Sequence, residues 1–590
     1  MKRSKILALV LAVLLVVGTF AACGDGSNSS TASQGGASSA GTDTSKPASD
    51  ASDASEPATS DTNNDAPAGD DTLNLVLTME PTGLNTMTAT YSIEFSMFKH
   101  IYDNLYMLDD NDEPQLSAAD DVEISEDGTV YKFHIREGQK WSNGDPVTAN
   151  DFAFAWQQVL NPDVAADYAY FIYDTLAVKN ASAYFKGECE WEEVGIKVDG
   201  DYNLEVTLDH AVPYAPFLFS FGTLAPINQK FYEEVGADNY NKETEYFCTN
   251  GAFKMKEWTH NTRIVLEKNA DWWRAGEVSL NTINWIYIKQ PQAALNEFLS
   301  GGVDMVGLST GELIDQAKVA GYDIQQYRDG GAFYIYFNHK NEYLQNKNLR
   351  KALALGFDKQ GLCDTVMKNG NVPMTSFTCP DVTGFDGKSF SESLTAWNGG
   401  AEMTPAKGDP EAAKGYLETA LTELGCTVED LSAALSIDCG DDDFSASIAA
   451  YYQEQWRQNL GIEVTVNPMP TKNGSANRKD GNYVMSMTGW GPDYNDPMTY
   501  LDLWVSTGGN NQTGYASEEY DKLIADATVE TDMEKRQELF YEAEKLIAED
   551  LPVAHSYWRG SSYAINPDRV ESGIHRSTYQ DINVVFVKMK

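Results

Sequence analysis

The chain has 590 residues, with 88 acidic and 43 basic side chains and a formal net charge of -45. A charge this negative repels phosphate backbones and anionic lipid surfaces, which excludes a nucleic-acid-binding or basic membrane-surface protein. Hydrophobic residues at 42% and aromatics at 11% supply large packed cores and exclude a wholly disordered chain or a coiled coil.

Lys2, Arg3 and Lys5 precede an apolar run, Ile6–Phe20, and then Ala21-Ala22-Cys23. A basic start, a short apolar run and small residues are the parts of an export signal, expected over 1–22. The apolar run is shorter than the roughly 20 residues that span a bilayer. The cysteine after two alanines resembles a bacterial lipobox, with Phe20 where leucine is usual. That resemblance implies cleavage before Cys23 and a lipid on its thiol. Loss of 1–22 removes three cations and leaves the charge near -48. Gly24–Asp70 holds no Val, Ile, Leu, Met or aromatic residue, so 23–70 is expected to be a disordered tether. As a flexible coil of 47 residues it reaches about 38 Å. The expected location is extracytoplasmic, with the membrane met only through the lipid.

Leu73–Leu77 reads as a strand, closed by the turn-rich Glu80–Asn85. Met97–Tyr106 is apolar at helical spacing. Val122–Ile124 and Val130–Ile135 flank Glu126-Asp127-Gly128, a hairpin with a tight Asp-Gly turn. Thr148–Asp151 supplies a cap for a helix over Phe152–Leu160. Leu204–Leu208, Ile264–Leu266, Ile283–Ile288 and Phe333–Phe337 read as strands, and Ala293–Phe298 as a helix ending at Gly301-Gly302. Helices follow at Asn348–Phe357, Glu411–Leu424 and Ile448–Leu460, then strands at Ile462–Val466 and Val484–Met487. Glu518–Asp526 and Glu534–Glu549 are two more helices. Strands alternate with helices in the second half, as in a sheet covered on both faces. The first half has more hairpin character, so at least two lobes of different build are expected.

Seven cysteines, Cys23, Cys189, Cys248, Cys363, Cys379, Cys426 and Cys439, form no CxxC pair, which argues against structural zinc. Without Cys23, six remain, enough for three disulfides in an exported chain, or six buried thiols. Gly307–Gly311 matches GxSxG around Ser309, but the pattern is short and reads better as a strand-to-helix turn than as a nucleophile elbow. Gly384–Ser389 lacks phosphate-loop spacing, no HExxH occurs, and Asp109–Asp112 lacks the glycine of a calcium loop. No metal or cofactor is expected. The lack of a coherent catalytic constellation favours a binding protein over an enzyme.

Seven segments, in order, resemble the dipeptide/oligopeptide/nickel family of extracellular solute-binding proteins, the receptors of ABC importers. They are Ile101–Tyr106, Asp127–Arg136, Lys140–Phe152, Thr249–Phe253, Leu266–Trp273, Leu349–Asp358 and Gly489–Pro497. The resemblance implies an α/β class II periplasmic-binding-protein fold: two lobes with a hinge, and an extra domain inserted in the first lobe. It places lobe I at 71–92, 194–290 and 557–590, the extra domain at 93–193 and lobe II at 291–556. It also implies a monomer that passes short peptides to membrane-embedded permease subunits.

Recognition that ignores side chains pairs with the ligand's backbone as an added strand. The expected edges are Thr78–Gly83, with Thr82 and Gly83, and Thr488–Gly491, with Gly489. In the oligopeptide-binding members the acid of the GWxxDY-type loop holds the peptide α-ammonium. Here that residue is Asp493, with Trp490 flanking the first ligand residues. Arg478 falls where the family often has a base near the site. Met487 stands where some members have an arginine for the ligand carboxylate, and Gly491 where some have a cysteine that would pair near Cys248. Glu80 is expected to approach the ligand from lobe I, and Tyr106 and Tyr494 to serve core or hinge. Other readings are a family receptor for a dipeptide, nickel or an oligosaccharide, a peptide-pheromone sensor, and a secreted hydrolase built on Ser309.

Overall fold

Apolar alternation in Thr72–Leu77 buries Leu73, Leu75 and Leu77 on one face, the period-two pattern of a half-covered strand. The strand pairs in parallel with Thr282–Tyr287 and with Met305–Gly307. Arg263–Lys268 and Phe253–Thr259 extend this side in antiparallel fashion. The computed structural model describes residues 71–81, 83–385, 387–579 and 582–590; the export signal, Cys23, the tether and Thr82 lie outside the described residues. At the far side of the same sheet, Ser436–Gly440 lies parallel between Thr465–Met469 and Met485–Trp490.

Two 13-residue strands, Gln325–Phe337 and Val553–Ile565, join the sides into one eleven-stranded sheet. They run antiparallel, with Arg328 opposite Gly560, and resume with Ala332 opposite Trp558. Asp329, Gly330 and Gly331 therefore face Arg559 alone, an irregularity that bends a strand pair locally. Gly330 sits at φ 70°, and a Cβ there would lie 2.4 Å from Pro492 Cγ and 2.7 Å from the Thr578 carbonyl oxygen. Arg559 Nε donates to Asp329 Oδ2 at 2.7 Å, and Tyr500 Oη donates to the Gly330 carbonyl at 2.6 Å.

The far side packs its own core from Ile335, Phe337, Leu353, Ile437, Trp456 and Met485. On the near side Leu295, Phe298, Val306, Leu313 and Ile314 pack with Ala564. Met305–Gly307 lies between Thr72–Leu77 and the end of Val553–Ile565. A second, four-stranded antiparallel sheet orders Ala119–Ile124, Val130–Ile135, Asn203–Thr207 and Ile196–Asp199. The last two fall in the range expected for lobe I, and Tyr131 pairs with Val206.

Local signals explain the elements that were anticipated. Gly128 takes φ 70° in the Asp-Gly hairpin turn. The Thr148 backbone N–H donates to Asp151 Oδ2 at 2.8 Å, a reciprocal cap for Ala149–Val159. The first helix begins earlier than its apolar spacing indicates, at Ser92, because Glu94 Oε2 accepts from the backbone of Thr90 and Tyr91 at 2.9 and 3.1 Å. All six described cysteines are unpaired. No helix among the described residues is long and apolar enough to cross a membrane.

Candidate ligand-binding cleft

The Met485–Trp490 strand leans on Gln325–Phe337 along its whole length, with Thr488 opposite Tyr334 and Trp490 opposite Ala332. Its other edge pairs only at Met485 and Ser486. Past Ser486 that edge has no strand partner among the described residues. Met487, Thr488 and Gly489 there line a cavity of about 1040 Å³. Gly489 is required by space: a Cβ would lie 2.8 Å from the Phe333 ring and 2.9 Å from the Ala332 carbonyl oxygen. The cavity is walled by both sides of the main sheet, with Thr78, Met79 and Ser309 on one and Asp438 and Ser486 on the other.

After Trp490 the chain turns through Gly491 and Pro492 into a loop pinned by buried groups. Asp496 takes a two-pronged contact from Arg536, 2.6 and 3.0 Å, and Arg536 Nε also donates to the Ala527 carbonyl at 2.9 Å. Tyr494 stacks on Tyr214, with centroids 4.4 Å apart and planes 10° from parallel. The Asp493 backbone N–H donates to Thr499 Oγ1 at 3.1 Å. This fixes where the Asp493 carboxylate points.

That carboxylate is not on the wall of the large cavity. It lies beyond Trp490, against a segment of the hairpin-bearing domain. Tyr170 Oη donates to Asp493 Oδ2 at 3.5 Å, and the Tyr168 hydroxyl also reaches it. Burial pushes the Asp493 carboxyl up to about 7, against the lowering effect of those hydroxyls. Asp502 next to it rises to about 8, first by burial and then by the charges of Asp493, Asp174 and Asp496. Among the described residues no Lys, Arg or His makes an ion pair with Asp493 or Asp502. Two half-buried carboxylates without a counter-cation among the described residues are unfavourable as anions and complementary to a cationic ligand group.

The other expected residues divide. Trp490 is half-buried, and its indole N–H is buried with no hydrogen-bond partner among the described residues. Gly491 is also half-buried. Arg478 lines the cavity, and its Nη1 donates to Ser486 Oγ at 3.3 Å. Thr78 and Met79 line the cavity, but Glu80 does not. Its carboxylate takes N–H groups from Trp258 at 3.2 Å, His260 at 2.5 Å and the Asn261 backbone at 2.7 Å. It ties down a hairpin turn. Gly83 lies outside the cavity wall, and Thr82 lies outside the described residues. In their place the first turns of Ser92–Ile101 face the cavity through Ser92, Ile93 and Ser96. Arg559 and Arg576 also line it and were missed, as was a wall of Tyr327, Tyr334 and Tyr563. The aromatic strand Phe333–Phe337 was the available signal for Tyr334. Tyr106 and Tyr494 are buried in the core.

Ser309 sits in the turn between Met305–Gly307 and Gly311–Val319, whose cap is the Thr310 side chain. His555 bonds to Thr404, and His575 to Asp112, so neither serves Ser309. Among the described residues no three His, Cys, Asp or Glu side chains are grouped to hold a metal ion.

Residues 113–512 match the family described as bacterial extracellular solute-binding proteins, family 5 Middle. The chain is 32% identical over 492 residues to the oligopeptide-binding protein OppA of Bacillus subtilis (strain 168), covering 82% of this chain and 87% of that one. The structure is similar to the substrate-binding domain of an oligopeptide ABC transporter from Bacillus anthracis, with a TM-score of 0.75, 32% identity, and 88% and 99% of the two chains covered. It is equally similar to Listeria monocytogenes OppA bound to peptide, with a TM-score of 0.75, 30% identity, and 89% and 100% covered. The architecture is thus the two-lobe periplasmic-binding-protein fold, and the chain belongs to the bacterial extracellular solute-binding proteins of family 5.

Proposed function

We propose that this protein is an extracytoplasmic receptor that captures short peptides between its lobes and delivers them to an ABC importer. The observation that carries the reading is a half-buried carboxylate, Asp493, without a counter-cation among the described residues and fixed just past an unpaired strand edge. The edge at Met487–Trp490 offers backbone N–H and C=O groups for an added strand, each bond worth about 0.5–1.5 kcal/mol net. The Asp493 carboxylate then takes the α-ammonium, a charge-assisted contact that sets the direction of the chain. Trp490 covers the first ligand residue and keeps water out.

A cavity of about 1040 Å³ is at the top of the roughly 300–1,000 Å³ range of small-ligand sites, which supports a peptide of several residues over a dipeptide or a bare ion. Binding without turnover is the expected behaviour of such a receptor. The lobes meet at Asp329–Gly331 and Arg559, where closure would bend the two long strands. Lobe I takes 71–92, about 208–328 and 559–590, with the hairpin-bearing domain over about 93–207 and lobe II over about 329–558. A lipid on Cys23 holds the monomer at the membrane.

The test is mass spectrometry of ligands that co-purify with the protein. Recovery of mixed short peptides is the expected result. Recovery of sugars, a bile acid or a metal alone would overturn the peptide reading.

A further inference from the structure

Arginines of this acidic chain are mostly matched by acids. Arg328 pairs with Asp381, Arg536 with Asp496, Arg559 with Asp329 and Arg569 with Asp304. Two arginines of the cavity wall are different: Arg478, which donates to Ser486 Oγ, and Arg576. The Arg576 side chain lines the cavity, yet no carboxylate of the described residues lies within ion-pair distance of its guanidinium. Its Nε is buried with no hydrogen-bond partner, and Nη2 donates to the Tyr327 hydroxyl. The guanidinium carbon sits 4.6 Å from the Tyr327 ring centre and 5.7 Å from that of Tyr563. Those rings meet edge-on at 75°. The short strand His575–Arg576 is held by pairing with Ile582–Asn583, and the Ile582 and Val584 N–H groups are anchored by Ser96 Oγ and His100 Nε2 at 3.4 and 3.1 Å.

We propose that Arg576, cradled by Tyr327 and Tyr563, is the anion subsite of the cleft and takes a carboxylate of the bound peptide. The fork of a guanidinium presents parallel donors that match a carboxylate. Aromatic stacking holds its plane without neutralising its charge. In a chain where acids outnumber bases two to one, 88 to 43, a cavity arginine without an acid partner is a charge kept for a ligand. The carboxylate has two sources, the peptide C-terminus or an Asp or Glu side chain. The inference rests on the peptide-receptor reading.

The test is calorimetric titration with two pairs of free-amine peptides. One pair is a neutral peptide as free acid and as C-terminal amide. The other is a C-amidated peptide containing Glu and its Gln counterpart. In the unaltered protein the acidic member of at least one pair should bind about 10–100-fold more tightly, the range for a charged hydrogen bond. The pair that shows it identifies the source. Arg576→Met should collapse that ratio to below about threefold, and Arg576→Lys should keep part of it. An equal loss for acidic and neutral members would make Arg576 a packing residue and overturn the proposal. So would an unchanged ratio in Arg576→Met, or a ratio lost only in Arg478→Met. If no peptide of either pair binds the unaltered protein, the receptor reading itself fails.

Discussion

Asp493 concentrates the physical tension of the molecule. Its carboxyl is held up to about 7 by burial, above the roughly 3.9 of an unfolded aspartate. A raised acid stabilises the folded state only where it is protonated. Its contribution is therefore favourable at low pH and is lost as pH climbs from about 4 to 7. Asp493→Asn removes the charge, so its melting temperature should gain on the parent across that window. Thermal denaturation of both proteins from pH 4 to 8 checks this; an offset independent of pH would contradict it. Peptide capture has the opposite pH dependence. An α-ammonium needs the ionised carboxylate, so affinity should fall as pH drops below about 7, and titration calorimetry at stepped pH reads the slope.

At the scale of elements, the loop after Trp490 is held by the buried Asp496–Arg536 pair. Removing one partner of such a pair costs about 3–5 kcal/mol. Asp496→Ala should lower stability by about that much in urea denaturation and weaken peptide binding, because Asp493 loses its fixed direction. Gly330→Ala should also destabilise by about 2 kcal/mol or more, since φ 70° and the 2.4 Å approach to Pro492 leave no room for a methyl group. Elements with local signals were legible in the sequence: the Asp-Gly hairpin, the Thr148–Asp151 cap, the helix ended by Gly301. The crossover strands were not. Gln325–Arg328 is polar and, apart from Tyr327, exposed, while Val553–Ile565 mixes small, polar and aromatic residues because neighbours far along the chain bury it. The acid of the Gly-Trp loop was singled out by resemblance alone. Arg576 was not, because only tertiary folding carries it from the last turns of the chain to Tyr327. The contacts of Glu80 with three N–H groups of a distant hairpin were not legible either.

Among the described residues one continuous sheet carries a glycine-bearing irregularity between its two long strands, and both of its sides line the cavity. A ligand shifts an equilibrium between open and closed lobes only by its differential affinity for the closed form. Saturating peptide should therefore reduce the radius of gyration in X-ray solution scattering and raise stability, by about 2.7 kcal/mol at a hundredfold excess over Kd. Unchanged scattering with tight binding would argue for a cleft that is already closed.

The most direct measurement is a four-way titration: the unaltered protein and Asp493→Asn, each with one peptide as the free amine and as its N-acetyl form. In the unaltered protein acetylation should cost about tenfold or more in affinity. In Asp493→Asn the two forms should bind alike, near the level of the acetylated peptide in the parent. Equal affinities for both forms in the unaltered protein, or an acetylation penalty that survives in Asp493→Asn, would show that the captured amine is held elsewhere.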